Sequence, residues 1–150
     1  AIFTCGGNTF MLLHMLHETR LIEYIKTAVE AGVPYIGTSA GTNITCPTIM
    51  TTNDMPIREV VNFRALNLFP YQINPHYLDP DPHSKHKGET RETRIREYLA
   101  FNDKPVIGLR EGGIIRVEGD DMKLKGERGV RIFKKNEEPY EIEPGNDLKI

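Results

Sequence analysis

The chain is predicted to be an α/β protein built on a mostly parallel sheet with helices on both faces. Short apolar runs recur at residues 1–5, 33–37, 71–74 and 105–109, segments with apolar residues at three- and four-residue spacing lie between them, and glycine-bearing turns separate the two kinds. Strands that alternate with helices need crossover connections, which set neighbouring strands parallel and cover the sheet.

The first run, Ala-Ile-Phe-Thr-Cys, reads as a buried strand ending at Gly6-Gly7. Because the chain opens inside it, further strands are expected to precede it, absent from this chain or carried by a second chain that completes the fold. Residues 8–17 place Phe10, Leu13 and Leu16 at helical spacing behind Asn8 or Thr9 as cap, and Leu21 to Ala31 forms a second helix stopped by Gly32. Val33 to Gly37 is the next strand, followed at Thr38-Ser39-Ala40-Gly41 by a turn into a short helix. Residues 48–70 lack periodicity and read as an irregular connection with one helical turn at Phe63 to Leu66. Tyr71 to Asn74 is a strand ending at Pro75-His76, and Leu78 to Lys87 a proline-bearing loop. Gly88 to Phe101 is a helix with Ile95, Tyr98 and Leu99 inward and Glu92 spaced to pair with Arg96. Pro105 to Leu109 is a buried strand. Beyond Gly113, Ile114 to Val117 and Val130 to Phe133 read as an antiparallel hairpin around Gly119-Asp120-Asp121. The whole is expected to be a single α/β hydrolytic domain, 1–150, forming the C-terminal part of a longer one.

Composition narrows the function classes. With 19 Lys and Arg against 21 Asp and Glu, the net charge of -2 leaves no cationic excess for a phosphate backbone, so nucleic acid is excluded as a partner. No apolar run reaches the roughly 18–20 residues of a membrane span and no secretory leader is visible, so a soluble, cytoplasmic protein is expected. Two cysteines, Cys5 and Cys46, share no metal-ligand spacing, and a disulfide between them is not expected.

Gly37-Thr38-Ser39-Ala40-Gly41 matches Gly-x-Ser-x-Gly between a strand and a helix, the context in which the pattern exposes a serine hydroxyl at the tip of a tight turn. The plain alternative is a turn that caps a helix. With Ser39 as nucleophile, the Ala40 N–H faces the developing oxyanion, and Gly7, in a turn that lets a carbonyl approach the main chain, supplies a second N–H. The base is expected at the end of another strand, where His76 lies. His14 and His17 sit on a helix, and His83 and His86 in a polar loop. The acid that orients the base is Glu111, after the strand 105–109, or Asp54 in the long loop; chain order does not decide between them.

Together these segments resemble the peptidase E family of α-aspartyl dipeptidases, serine peptidases whose fold is similar to class I glutamine amidotransferases. The resemblance is carried by Gly-Gly-Asn-Thr-Phe at 6–10, Gly-Thr-Ser-Ala-Gly-Thr-Asn at 37–43, Cys-Pro-Thr-Ile and Thr-Thr-Asn-Asp-Met-Pro within 46–56, Asn-Leu-Phe-Pro and Gln-Ile-Asn-Pro-His within 67–76, His-Lys-Gly-Glu-Thr-Arg at 86–91, and Ile-Gly-Leu with Glu-Gly within 107–112. It implies hydrolysis of dipeptides and short peptides that begin with aspartate, without metal or other cofactor. It implies Ser39 as nucleophile, His76 as base, Glu111 ahead of Asp54 as acid, and Gly7 and Ala40 as oxyanion donors. An aspartate side chain calls for an arginine fork, and Arg91 is the first choice, although it shares a solvated helix face with Arg94 and Arg96. Asn8 and Thr38 complete the expected substrate-binding set, and Asp54 or Glu89 is the expected acceptor for the substrate amine. A cyanophycinase-like or other acyl hydrolase of the same fold, or a silent aspartyl-peptide-binding module, stands as the alternative.

Overall fold

The computed structural model describes residues 1–81, 83 and 88–150, so residue 82 and residues 84–87, His86 among them, lie outside it. The described residues fall into two compact units, Ala1–Ile73 and Asn74–Ile150.

The first unit runs β1 (Ile2–Thr4), α1 (Thr9–Glu18), α2 (Leu21–Glu30), β2 (Tyr35–Gly37), α3 (Ala40–Thr45) and an irregular stretch to residue 71. β1 and β2 pair in parallel, Ile2 opposite Tyr35 and Thr4 opposite Gly37. Asn8 caps α1 by accepting the Met11 N–H at 3.1 Å. Gly32, at φ +93°, ends α2: its N–H bonds Val29 O at 2.9 Å and that of Val33 bonds Ala28 O at 3.0 Å, the paired 5→2 and 6→1 bonds of a glycine C-cap. Leu13, Leu16, Ile44, Ile49, Ala65 and Leu66 form the core. The helical turn expected at Phe63 to Leu66 is absent. Those residues run instead beside the segment after α3, with Ile49 N–H on Phe63 O at 3.0 Å and Ala65 N–H on Pro47 O at 3.1 Å. The interstrand-like bonds satisfy the backbone that a helical turn would have satisfied internally.

β3 (Gln72–Pro75) crosses the boundary between the units. The second unit continues with α4 (Arg91–Phe101), β4 (Val106–Leu109), β5 (Gly113–Glu118), β6 (Asp121–Gly126), β7 (Val130–Phe133) and β8 (Tyr140–Ile142). The sheet order is β3-β4-β7-β8, and β5-β6 forms a separate hairpin. Thr90 caps α4 by accepting the Thr93 N–H at 3.1 Å, and Glu92 pairs with Arg96 at 2.9 Å one turn on. Ile95 and Leu99 of α4 pack with Tyr77, Val106 and Phe133.

Two expectations are corrected here. The sheet is mixed rather than mostly parallel: β4 pairs β7, and β7 pairs β8, antiparallel. The C-terminal hairpin joins β5 to β6, with Glu118 opposite Asp121, and Val130–Phe133 lies beside β4. Gly119, at φ +58°, and Asp120 close the hairpin in two residues, the shortest connection between antiparallel strands. Met122 and Leu124 then alternate with outward Lys123 and Lys125, leaving the more apolar Val130–Phe133 for the sheet.

Candidate active site

In the first unit, β2 delivers residues 37–41 to the start of α3. Thr38 N–H extends the pairing to Thr4 O at 3.0 Å, and the chain then reverses at Ser39, where φ is +54° and ψ -112°. A residue with a β-carbon occupies such a region only under strain. Glycines stand on both sides for reasons of contact. A Cβ at Gly37 would meet Gly41 O at 2.4 Å, and one at Gly41 would meet Thr4 O at 2.1 Å. Tyr35 Oη and Thr42 Oγ1 brace the same turn, donating to Gly41 O and Gly37 O at 3.0 Å each. Gly6 packs on the serine, since a Cβ there would lie 3.2 Å from Ser39 Cβ and 3.6 Å from its Oγ. Ala40 is the first residue of α3, so its N–H has no acceptor within the helix. Gly7 is exposed at φ +140°, and Thr38 is exposed.

Asp54 has a defined position in this unit. Its Oδ2 accepts the Thr9 N–H at 2.7 Å and the Thr9 hydroxyl at 2.6 Å, at the positive end of α1. Thr9 Oγ1 also accepts from Thr52 Oγ1 at 3.1 Å and, on buried Asn43 of α3, from Nδ2 at 3.3 Å. This polar cluster ties the segment after Gly7 to the helix after Ser39. Asn8 spends its amide on its own helix and loop, bonding Met11 N–H and donating to Met55 O at 2.9 Å. His14 Nδ1 and His17 Nε2 meet Glu59 O and Arg64 O at 3.1 and 3.2 Å, so both tether the irregular segment.

In the second unit, His76 follows β3 at φ +55° and Glu111 follows β4. His76 Nδ1 hydrogen-bonds Glu111 Oε1. A carboxylate only accepts, so this bond holds the proton on Nδ1 and leaves Nε2 as the basic nitrogen. The side chains are 49% and 76% exposed, which puts the pair at the surface of its unit. Tyr77 N–H bonds Leu109 O at 3.0 Å beside it, and Gly108 admits the Tyr77 ring, which a Cβ would meet at 2.7 Å. Arg91 opens α4 and is partly buried. Glu89 faces Arg94 at 3.4 Å, and His83 N–H bonds Asp81 Oδ1 at 2.9 Å.

Of the expected site residues, the first unit places Ser39 and Ala40 at one turn, with Gly6, the residue before Gly7, packed on the serine, and gives Asp54 to Thr9. The second joins His76 to Glu111. Sequence reasoning missed Thr9, Asn43 and Thr52, and it missed Arg110, whose guanidinium binds Asp79 and Glu141 beside the histidine pair; with partners 31 positions away on either side, no local pattern signals that cluster. Among the described residues no group of three or more His, Cys, Asp and Glu side chains could hold a metal ion, and no helix is long and apolar enough to cross a membrane.

Comparison with known proteins gives one consistent result. The model of "Peptidase family S51" matches residues 1–125. The chain is 57% identical over 148 residues to "Peptidase E" of Streptomyces coelicolor, covering 99% of this chain and 61% of that protein. It is 49% identical over 149 residues to "Probable alpha-aspartyl dipeptidase" of Drosophila melanogaster, covering 99% and 62%. A crystal structure described as "a Putative Peptidase E Protein from Listeria monocytogenes EGD-e" superposes with a TM-score of 0.66 at 29% identity, over 83% of this chain and 58% of that one. The chain thus spans about three fifths of the length of the curated relatives it matches.

Proposed function

The chain belongs to peptidase family S51, and on that premise we propose that it carries the reacting groups of a serine exopeptidase that removes an N-terminal aspartate from dipeptides and short peptides. The observation that carries this reading is the strained Ser39 at a strand-to-helix turn, at φ +54° and ψ -112°, with glycines enforced by contact on both sides. Such strain persists only where the surrounding structure fixes it, and it presents the hydroxyl at the turn's tip.

In this reading Ser39 Oγ attacks the α-carbonyl carbon of the N-terminal aspartate, and its proton passes to His76 Nε2. Glu111, bonded to Nδ1, keeps the tautomer and stabilises the imidazolium. The N–H groups of Gly7 and Ala40 hold the oxyanion. His76 then protonates the leaving amine, and water, deprotonated by the same nitrogen, releases aspartate from Ser39. Arg91 grips the substrate's side-chain carboxylate with a two-bond fork, and Thr38 and Asn8 border the substrate. Asp54 serves the N-terminus of α1, and through it the Gly7 turn, in place of the acid's role. The fold in this reading is of the class I glutamine amidotransferase type.

The test is hydrolysis of Asp-Leu beside Asn-Leu, Glu-Leu and β-Asp-Leu, with chelator present, by the wild-type protein and its Ser39→Ala, His76→Ala and Arg91→Met variants. The expected outcome is selective Asp-Leu cleavage, abolished in the first two variants and lost mainly through KM in the third. Preference for β-Asp-Leu would move the reading to a cyanophycinase-like hydrolase. Stoichiometric binding without turnover would make the protein a binding module.

A further inference from the structure

Beside the His76–Glu111 pair, the second unit holds an ion-pair cluster that the proposed reaction leaves unused. Arg110, one residue before Glu111, has a side chain only 17% exposed. Its Nε and Nη2 fork onto Asp79 at 2.8 and 2.6 Å, its Nη1 and Nη2 fork onto Glu141 at 2.8 and 3.0 Å, and Nη1 also donates to Gly129 O at 2.9 Å. Every N–H donor of the guanidinium is thereby used. The same group lies 5.5 Å from the ring centroid of Tyr77, the residue after His76. Tyr77 is held there by packing, for its hydroxyl is buried with no hydrogen-bond partner among the described residues.

We propose that Arg110 is a positioning residue for the His76–Glu111 pair, an inference that rests on reading that pair as base and orienting acid. Two chain segments carry the pair: one runs from His76 through Tyr77 to Asp79, the other ends at Leu109, Arg110 and Glu111. The fork on Asp79 clamps these segments together. The Tyr77 N–H bond to Leu109 O is the second clamp, at 3.0 Å. The pair's own hydrogen bond is exposed, and a hydrogen bond that competes with water is a weak restraint by itself. Glu141 on β8 and the Gly129 carbonyl just before β7 fix the guanidinium to the sheet, so the clamp is referenced to strands instead of to a loop. A planar fork that serves two carboxylates at once has a geometry that a lysine ammonium cannot reproduce.

The experiment compares the wild-type protein with Arg110→Lys, which keeps the charge and loses the fork, and with Asp79→Asn, which weakens the half-exposed arm alone. Two readouts are taken: kcat and KM for Asp-Leu, and the ring 15N shifts of His76, which report the Nδ1–H tautomer that Glu111 favours. Arg110→Lys is expected to lower kcat about 10- to 100-fold, with KM within about twofold, and to shift His76 towards the Nε2–H tautomer. Asp79→Asn moves both readouts in the same direction by less. Wild-type kcat together with an unchanged tautomer in Arg110→Lys overturns the inference, and if that variant does not fold, the same result in Asp79→Asn overturns it. A wild-type His76 already in the Nε2–H form removes the pair, and the inference with it. Failure of wild-type protein to cleave Asp-Leu overturns the peptidase reading alone, and the tautomer readout then decides the positioning role without turnover.

Discussion

Replacing Ser39 by glycine is expected to leave a more stable protein than replacing it by alanine, although both substitutions inactivate it. At φ +54° and ψ -112°, the serine β-carbon is held in a sparsely populated region at a cost of about 1–3 kcal/mol. Ser39→Ala removes the nucleophile but keeps the β-carbon and its strain. Ser39→Gly removes both. Against that gain, glycine adds freedom to the unfolded chain worth about 0.4–1 kcal/mol. Gly6, where an added β-carbon would lie 3.2 Å from that of Ser39, has no side chain there to lose contact. The net expectation is that Ser39→Gly exceeds Ser39→Ala by about 1 kcal/mol, which for a chain of this size raises Tm by about 2–4 °C. Urea unfolding of the wild type and both variants, followed by circular dichroism at equal protein concentration, measures it. Equal m-values would show that the shift in midpoint is a change in stability. A Ser39→Gly variant no more stable than Ser39→Ala would refute the argument that strain is stored at this turn.

Three further outcomes follow from the same geometry. Gly41→Ala would place a β-carbon 2.1 Å from Thr4 O, a backbone contact that cannot relax by rotating a side chain, and is expected to cost about 3 kcal/mol or more in urea unfolding; a loss below about 1 kcal/mol would count against it. The Arg110 fork holds the Asp79 carboxyl below its ordinary value of 3.8, so this group's stabilising contribution is present above that pH and is lost as pH falls through the lowered value. Acid unfolding of Asp79→Asn should accordingly be flatter below about pH 4 than that of the wild type, and parallel curves would contradict the assignment. Burial pushes the Cys46 thiol up to about 12, whereas Cys5 is exposed. A thiol reagent at neutral pH should label Cys5 alone in the native state and both cysteines in denaturant, and native labelling of Cys46 would show that its enclosure opens.

Much of the first unit was legible because its signals are local. Apolar spacing marked α1 and α2, Gly32 marked a helix end, and Gly-x-Ser-x-Gly between strand and helix marked the turn at Ser39. The reasons for its two glycines were legible only in part, since Gly41 is dictated by a carbonyl 37 positions earlier at Thr4. In the second unit the alternation of strand and helix ends at β4, and from there the chain builds antiparallel structure. The hairpin was misread by skipping β6, whose Lys123 and Lys125 masked the inward alternation of Met122 and Leu124. Residues 48–70 were legible as irregular, but not as a segment held by hydrogen bonds to the residues around Pro47 and Ile49. Chain order left both Asp54 and Glu111 open as the acid, and it did not reveal which atom each carboxylate meets: Thr9 N–H for one, His76 Nδ1 for the other. Such partners lie 45 and 35 positions apart and leave no trace in spacing.

The most direct test of the central claim is to trap the covalent intermediate. Turnover of an aspartyl ester or anilide is quenched in acid, and the protein is digested and its peptides weighed. The account predicts an aspartyl group on the peptide that contains Ser39, absent from Ser39→Ala, which does not turn over. An aspartyl group on another residue, or turnover by Ser39→Ala at the wild-type rate, would contradict it.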